Sequence, residues 1–352
     1  MGISRRDLFK FSGAAIGVAA LAKFAPKAIG EELPSSILNL TDDDCIIPPL
    51  LRKNSLVAIT APGSPTNTGE CRFGVKLMKD NLCRVVFGDT VAKQKNEYKY
   101  LSQTDEFRAA EFMSFIKNPD VNAIFTARGG YGSSRILDLL DYDIIRENPK
   151  QIIGFSDVTA LLTAIYARTK IVTYHGPVAS SSLNEFTSGY LQKIIFESPK
   201  FEPVVYQSPT MLTIVPGKTA GRLIGGNLSV ICSLMGTKYE IDTKDAILFL
   251  EDVSEDAYKI DRNFNQLKLA GKFDDAAGIM FGIFPNLNRR RNFYPNMGYT
   301  IRELYDQYFS KYKKPIVYDV PFGHLENNLT LPIGTMAELD STKGKLVLFN
   351  AV

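Results

Sequence analysis

Short apolar runs alternate with amphipathic stretches over the first half of the chain. Each apolar run is typical of a buried strand, and each amphipathic stretch has the spacing of a helix with one apolar face. This alternation predicts a mostly parallel α/β sheet, in which functional loops lie at the carboxyl ends of the strands. The predicted strands are 56–59, 84–87, 123–127 and 151–155, and the predicted helices are 70–81, 104–116, 133–140 and 157–168.

The second half of the chain has a different texture. Four prolines interrupt any regular period between 185 and 217, and this segment is predicted to be a linker. Beyond it, strand-like and helical stretches are mixed and predict a smaller α/β or β-rich domain. The strand-like stretches are 247–250, 278–281, 316–320 and 346–349, and the helical ones are 260–269 and 301–309.

These patterns predict an α/β protein with two domains. The N-terminal domain (46–184) is expected to be a Rossmann- or flavodoxin-like parallel sheet with helices. The linker (185–217) leads to a mixed β/α C-terminal domain (218–352). A chain of 352 residues with 45% hydrophobic content is long enough for two such domains with cores of their own.

Residues 1–30 are predicted to be a targeting segment, outside the fold. Positions 4–10, Ser-Arg-Arg-Asp-Leu-Phe-Lys, resemble the twin-arginine export signature. The apolar stretch that follows (11–22) is shorter and richer in glycine than a membrane span, which needs about 20 apolar residues. Export would place the mature protein in a periplasm, in contact with the membrane only through a retained signal. An amphipathic helix, or a chance Arg-Arg pair in a cytosolic protein, is the alternative.

Charge excludes one class of partner. Residues 1–30 carry a net charge of +4, so the overall +3 leaves −1 on the remainder of the chain. A nucleic-acid-binding protein would need a basic face, and none is indicated here.

Cysteine and histidine usage argues against a metal site. The four cysteines have neither zinc nor haem spacing, although in an exported protein Cys71 and Cys83 could pair. With only two histidines, His175 and His324, a His-based metal site is poorly supplied. Neither a metal nor an organic cofactor is expected.

Ser156 lies where the predicted strand 151–155 gives way to a helix. A serine in such a turn stands clear of the sheet, beside N–H groups that can stabilise negative charge on a substrate oxygen. This is the logic of a nucleophile elbow, although the spelling is Gly-Phe-Ser-Asp and not G-x-S-x-G. A serine before a helix is more often an N-cap, and that alternative stays open here.

A glycine-rich loop, 128–134, also follows a strand and precedes a helix. Backbone N–H groups at such a position can bind anions. The spelling, Arg-Gly-Gly-Tyr-Gly-Ser-Ser, fits neither the P-loop nor the dinucleotide fingerprint. The loop is a tight turn or, beside a serine elbow, one wall of an oxyanion hole.

Two further residues could complete a hydrolytic triad. Glu251 ends an apolar run (246–250), where a carboxylate could orient an imidazole or simply be a solvated loop acid. His324 lies on a glycine-flanked loop after a predicted strand and is a candidate base, with a surface histidine as the alternative. His175 follows another strand and is expected to support the site structurally.

Taken together, these segments resemble the serine LD-carboxypeptidase family, which includes muramoyl-tetrapeptide carboxypeptidases and microcin-immunity peptidases. The similarity extends from about residue 55 to the C-terminus. The similar blocks are Ala61-Pro62-Gly63-Ser64-Pro65, Arg128-Gly129-Gly130-Tyr131-Gly132, Ile153-Gly154-Phe155-Ser156-Asp157-Val158-Thr159, Tyr174-His175-Gly176-Pro177, Leu223-Ile224-Gly225-Gly226-Asn227-Leu228, Leu250-Glu251-Asp252-Val253, Tyr258-Lys259-Ile260-Asp261-Arg262 and Phe322-Gly323-His324.

The resemblance implies roles for these residues. Ser156 would be the nucleophile, His324 the general base and Glu251 the acid that orients it, in a cleft between the domains. The N–H groups of Asp157 and of Gly129 or Gly130 would bind the oxyanion, and Arg128 could bind the substrate carboxylate.

The resemblance also implies a substrate and an assembly. The expected substrate is a peptidoglycan stem tetrapeptide, which loses D-Ala after diaminopimelate or lysine, and the expected assembly is a homodimer. Alternatives are an immunity-type peptidase that cleaves acyl-nucleotide or aminoacyl-adenylate mimics and, from another class, a periplasmic solute-binding protein. The last would have no need of a serine, a histidine and a glutamate within hydrogen-bonding reach of one another.

Overall fold

The computed structural model describes residues 45–93, 96–197, 203–287 and 298–349. The predicted export segment lies outside these ranges. Within them, no helix has the length and apolar character that crossing a membrane requires.

The strands and helices follow one another in the predicted alternation through the first half of the chain. The strands are β1 (Leu56–Thr60), β2 (Arg84–Phe87), β3 (Val121–Thr126), β4 (Gln151–Gly154), β5 (Thr173–His175), β6 (Val204–Gln207), β7 (Leu212–Val215), β8 (Lys218–Asn227), β9 (Ala246–Glu251), β10 (Gly278–Gly282), β11 (Ile316–Val320), β12 (Leu331–Ile333), β13 (Met336–Asp340) and β14 (Lys345–Leu348). The helices are α1 (Arg72–Asp80), α2 (Asp89–Ala92), α3 (Asp105–Lys117), α4 (Tyr142–Glu147), α5 (Thr159–Thr169), α6 (Glu185–Ile195), α7 (Leu228–Ser233), α8 (Ala257–Leu269), α9 (Lys272–Asp275) and α10 (Ile301–Phe309). Short 3₁₀ helices cover Asn96–Tyr98, Ser133–Leu139 and Ser156–Val158.

The first sheet has the strand order β2-β1-β3-β4-β5-β12. Its first five strands are parallel, in the flavodoxin-like order, and the direction of winding reverses between β1 and β3. Strand β4 is buried along its whole length, so its position in the middle of the sheet follows from its apolar sequence. The predicted parallel α/β sheet is confirmed.

The second sheet has the order β6-β14-β13-β8-β9-β10-β11-β7. Strands β8 to β11 are parallel, and antiparallel strands flank them on both sides. This sheet has more strands than the first, although a smaller domain was expected. The additional strands are short and antiparallel: β6, β13 and β14 lie on one side of the parallel strands, and β7 lies on the other.

The segment expected to be a linker (185–217) contains α6, β6 and β7. Asn184 caps the start of helix α6, since its side chain accepts a hydrogen bond from the Thr187 N–H, and the helix buries Leu191 and Ile194. The two strands are four residues each and fall between the prolines. Each of these strands is too short to show a sustained alternation of apolar and polar residues, so the sequence pattern does not reveal them.

One strand from the C-terminal part belongs to the first sheet. Strand β12 pairs antiparallel with β5, with Leu331 opposite His175. Because β11 lies in the second sheet and β12 in the first, the loop between them is anchored to both sheets. That loop carries His324, so the connection places a histidine from the C-terminal part beside the end of β4.

All four cysteines are free thiols. Burial raises the pKa of Cys71 and of Cys83 to about 11, so both behave as apolar core residues, and the pairing considered from the sequence is not formed. In the described part of the chain, no three His, Cys, Asp or Glu side chains are grouped as metal ligands would be.

Candidate active site

Ser156 follows β4 closely and has a φ of 63°. This left-handed conformation is uncommon for a residue other than glycine, and such strain is typical of functional turns. Gly154 is needed just before the turn, because a Cβ there would overlap the Thr126 side chain. The chain then continues through the 3₁₀ helix into α5, which has no side-chain cap. Ser156 is therefore an elbow residue and does not cap α5.

His324 reaches the serine from the loop between β11 and β12. Its Nε2 atom lies 3.0 Å from Ser156 Oγ, and its ring packs edge-on against Phe155 with the centroids 4.8 Å apart. Gly323, before it, has a φ of 94°, and a side chain there would overlap Glu251. The Gly323 N–H donates to Asn328 Oδ1 at 2.9 Å, which fixes the turn.

Glu251 is the last residue of β9, in which every residue is buried. Its Oε2 atom lies 2.6 Å from His324 Nδ1, and its Oε1 accepts a hydrogen bond from Asn227 Nδ2 at 3.2 Å. Asn227 lies opposite Glu251 in the pairing of β8 with β9, and its side chain also bonds Asp252 at 3.2 Å. Ser156, His324 and Glu251 thus form one hydrogen-bonded chain.

Sequence reasoning assigned no role to Asn227. An asparagine at a strand end before a helix is usually interpreted as an N-cap. It is one here, since its Oδ1 accepts from the Val230 N–H at 3.2 Å. The same side chain fixes Glu251, and only the register of β8 with β9 reveals that second role.

The charges of the triad support one another. Burial opposes the ionisation of Glu251, but His324 and His175 outweigh it and lower the pKa of Glu251 from 4.5 to about 2. Burial also disfavours the charged form of His324, but the charge and hydrogen bond of Glu251 prevail, so the pKa of His324 is raised above 6.5. At neutral pH, Glu251 is ionised and stabilises the imidazolium that forms when His324 takes a proton.

The glycine-rich loop lies against the serine. A Cβ on Gly129 would lie 2.8 Å from Ser156 Cβ, which measures how closely this backbone approaches Ser156. The N–H groups of Gly129, Gly130 and Asp157 donate to no other group in the described part of the chain. They are therefore free to bind an oxyanion.

Asp157 also holds this loop through its side chain. The buried carboxylate accepts hydrogen bonds from the N–H of Gly132 at 3.1 Å and of Ser133 at 2.8 Å. Asp157, the residue after Ser156, thus has a free N–H beside the serine in the described part of the chain and also orients the neighbouring loop. The second role was not predicted, because it depends on the approach of loops that follow different strands.

Two arginines lie near the glycine-rich loop, and the proposed binding of a substrate carboxylate by Arg128 stays a prediction. Arg128 is exposed, its Nη1 lies 3.5 Å from the Pro65 carbonyl oxygen, and no contact joins it to the triad in the described part of the chain. Arg108, which sequence reasoning did not select, is fully buried and donates to the carbonyls of Pro62 and Gly132. It fastens the glycine-rich loop to the loop after β1. Its sequence position on α3 gives no signal that separates it from an ordinary surface arginine.

A test of the glycine-rich loop follows from this geometry. Gly129→Ala is expected to lower kcat by about 100-fold, since a methyl group would displace Ser156 or the loop by a fraction of an ångström or more. Steady-state kinetics and a thermal melt measure activity and folding. Gly189→Ala is the matched control, because a Cβ at Gly189 meets nothing within 4 Å. A Gly129→Ala enzyme with wild-type kcat would contradict the close approach.

Comparison with known proteins agrees with this architecture. The LD-carboxypeptidase N-terminal domain model matches residues 57–176, and the C-terminal domain model matches residues 220–339. A probable murein peptide carboxypeptidase of Bacillus subtilis is 33% identical over 308 residues, covering 86% of this chain and 93% of that protein. The microcin C7 self-immunity protein MccF of Escherichia coli is 30% identical over 328 residues, covering 83% and 92%.

A solved structure is also similar. The muramoyltetrapeptide carboxypeptidase of Oxalobacter formigenes superposes with a TM-score of 0.70 at 28% identity, covering 83% of this chain and 97% of that one. The matched family and the relatives named as carboxypeptidases identify a serine-type carboxypeptidase. The chain belongs to the LD-carboxypeptidase family.

Proposed function

We propose that the protein is an LD-carboxypeptidase that removes terminal D-Ala from peptidoglycan stem tetrapeptides by a Ser-His-Glu triad. The observation that carries the proposal is the continuous chain of contacts from Ser156 through His324 to Glu251, at 3.0 and 2.6 Å. Relatives named for murein peptides favour this substrate class.

The chemistry follows from the geometry. His324 Nε2 accepts the proton of Ser156 as Oγ attacks the scissile carbonyl carbon, and the carbonyl oxygen becomes an oxyanion. The N–H of Asp157 and one from Gly129 or Gly130 stabilise it, and losing one such donor costs about 3 kcal/mol. His324 then gives its proton to the departing amine of D-Ala. Water, activated by the same histidine, hydrolyses the acyl-enzyme and restores Ser156.

A second candidate has one observation in its favour. The relative at 30% identity is a microcin self-immunity protein, so cleavage of an acyl-nucleotide or aminoacyl-adenylate mimic by the same triad is the alternative. The solute-binding alternative is disfavoured, because it gives no reason for three hydrogen-bonded catalytic groups at the end of β4. Export by the twin-arginine route and dimerisation stay predictions; with export, the peptidase would trim wall peptides in place.

Release of D-Ala from purified stem tetrapeptides tests the proposal. Peptides with diaminopimelate or lysine at the third position are offered to the folded protein, each beside a matched peptide that ends in L-Ala. We expect release from a D-Ala peptide and none from its L-Ala counterpart. Failure to release D-Ala from either would reject the tetrapeptide as substrate, and acyl-nucleotide analogues would be tested next.

A further inference from the structure

His175 lies against the triad without belonging to it. It ends β5, its side chain is fully buried, and its Nε2 atom lies 3.8 Å from Glu251 Oε1. Neither ring nitrogen has a hydrogen-bond partner in the described part of the chain. A fully buried polar group without a partner is uncommon in proteins and calls for a physical reason.

Three aromatic rings also lie against the His175 ring. Phe249 lies edge-on with its centroid 5.4 Å away, and Phe155 and Phe322 do so at 6.2 Å. These rings hold the imidazole in place and offer no carboxylate or carbonyl acceptor of their own. The polar group that Nε2 of His175 faces is therefore the Glu251 carboxylate, at 3.8 Å.

The backbone at His175 is fixed as firmly as its ring. It pairs with Gly154 of β4, two residues before the nucleophile, and with Leu331 of β12. The N–H of Gly176 donates to the Gly154 carbonyl at 3.0 Å. His175 is thus held at a constant distance from the elbow by the sheet itself.

The two oxygens of Glu251 have different neighbours. Oε2 meets His324 Nδ1 at 2.6 Å, whereas Oε1 lies between Asn227 Nδ2 at 3.2 Å and His175 Nε2 at 3.8 Å. A terminal carboxylate turns easily about its last bond, since this torsion has broad minima. Groups on the Oε1 side therefore contribute to keeping Oε2 directed at His324. In the described part of the chain, the charged or titratable groups that face Glu251 are the two histidines and Asp252.

We propose that His175 is a positioning residue of the triad. Its Nε2 edge attracts Glu251 Oε1 and, with Asn227, holds the carboxylate in the plane in which Oε2 meets His324. It does not touch the substrate or the reacting atoms, and it acts through Glu251 alone. The inference rests on the proposed function of the triad, but its effect on His324 is measurable without any substrate.

The test compares two substitutions at this position. His175→Phe keeps a planar ring among the three phenylalanines and removes both nitrogens, whereas His175→Gln can place an amide N–H near the position of Nε2. The first measurement is the NMR titration of His324 in the untagged protein. The chain has only two histidines, so the remaining imidazole in either variant is His324. Thermal melting and the pH profile of kcat/KM are measured on the same preparations.

In His175→Phe we expect the pKa of His324 to fall and kcat to drop up to about 100-fold at an almost unchanged KM, because Glu251 loses its orientation. In His175→Gln, the pKa of His324 and kcat should both stay close to their wild-type values. An unchanged His324 titration in a folded His175→Phe protein would overturn the proposal, and so would equal losses in both variants.

If His175→Phe does not fold, His175→Asn takes its place, because the shorter amide cannot reach the Nε2 position. Equal titration of His324 in the Asn and Gln variants would then overturn the proposal. If wild type releases no D-Ala but His175→Phe still lowers the pKa of His324, the proposed substrate fails and the positioning role stands.

Discussion

Ser156→Ala is expected to lower kcat/KM for D-Ala release by about 10⁴-fold or more, because alanine has no hydroxyl to attack the scissile carbonyl. Alanine keeps the backbone of the elbow within the range that serine adopts, and the residue caps no helix. The thermal melting temperature should therefore stay close to that of wild type. Release of D-Ala is measured by coupled assay at substrate concentrations below KM.

The matched control for this experiment is Ser233→Ala. Ser233 is exposed at the end of α7, and its hydroxyl donates to the Val230 carbonyl at 2.7 Å, within the same helix. This variant should retain wild-type kinetics. Equal activity of Ser156→Ala and wild type would show that the hydrogen-bonded triad is not the catalytic apparatus, even if the tetrapeptide is the substrate.

The elements around Ser156 could be predicted because they depend on local pattern. Strand β4 is a short apolar run and α5 an apolar helix, so the turn between them had to lie near residues 155–158. The positive φ of Ser156 could not be predicted, because nothing local requires it. In the folded chain, the backbone of Gly129 and the ring of His324 both lie close to this residue.

The resemblance to a family, and not the pattern, brought Glu251 and His324 together with the serine. The two residues are 73 positions apart along the chain. Periodicity can place each of them at a strand end, but it cannot place one sheet against the other. That placement depends on β12, a strand of three residues that crosses to the first sheet and is too short to show a period.

Residues that act through others were the least predictable part of the site. Asn227, Arg108 and the carboxylate of Asp157 each orient a loop or a side chain that lies far away in sequence. Their residue types are ordinary for the elements that carry them. Their roles become visible only through strand register and through the burial of a polar group that must find a partner.

The second large effect is expected for Glu251→Gln. Asn227 Nδ2 donates to one oxygen of Glu251, so the amide introduced at this position would turn its oxygen to Asn227 and its NH₂ to His324 Nδ1. His324 would then accept at Nδ1 and carry its proton on Nε2, where it cannot accept the proton of Ser156. An analogous change of tautomer lowers kcat by about 10⁴-fold in serine proteases, and we expect a loss of that order here. Glu106→Gln, on the exposed face of α3, is the matched control.

The pH dependence distinguishes this cause from a general loss of structure. In wild type, Glu251 raises the pKa of His324 above 6.5. As the pH decreases through this raised pKa, His324 of the free enzyme becomes protonated and can no longer act as a base, so kcat/KM should decrease. Without the Glu251 carboxylate, burial still lowers the pKa of His324 and the charge of Asp252 still raises it, but the largest raising influence is gone, so this pKa should be lower than in wild type. The acid limb of kcat/KM and the NMR titration of His324 should therefore both move to lower pH in Glu251→Gln. If activity is lost but the acid limb keeps its wild-type position, the titration of His324 does not depend on Glu251. In that case Glu251 does not act through His324.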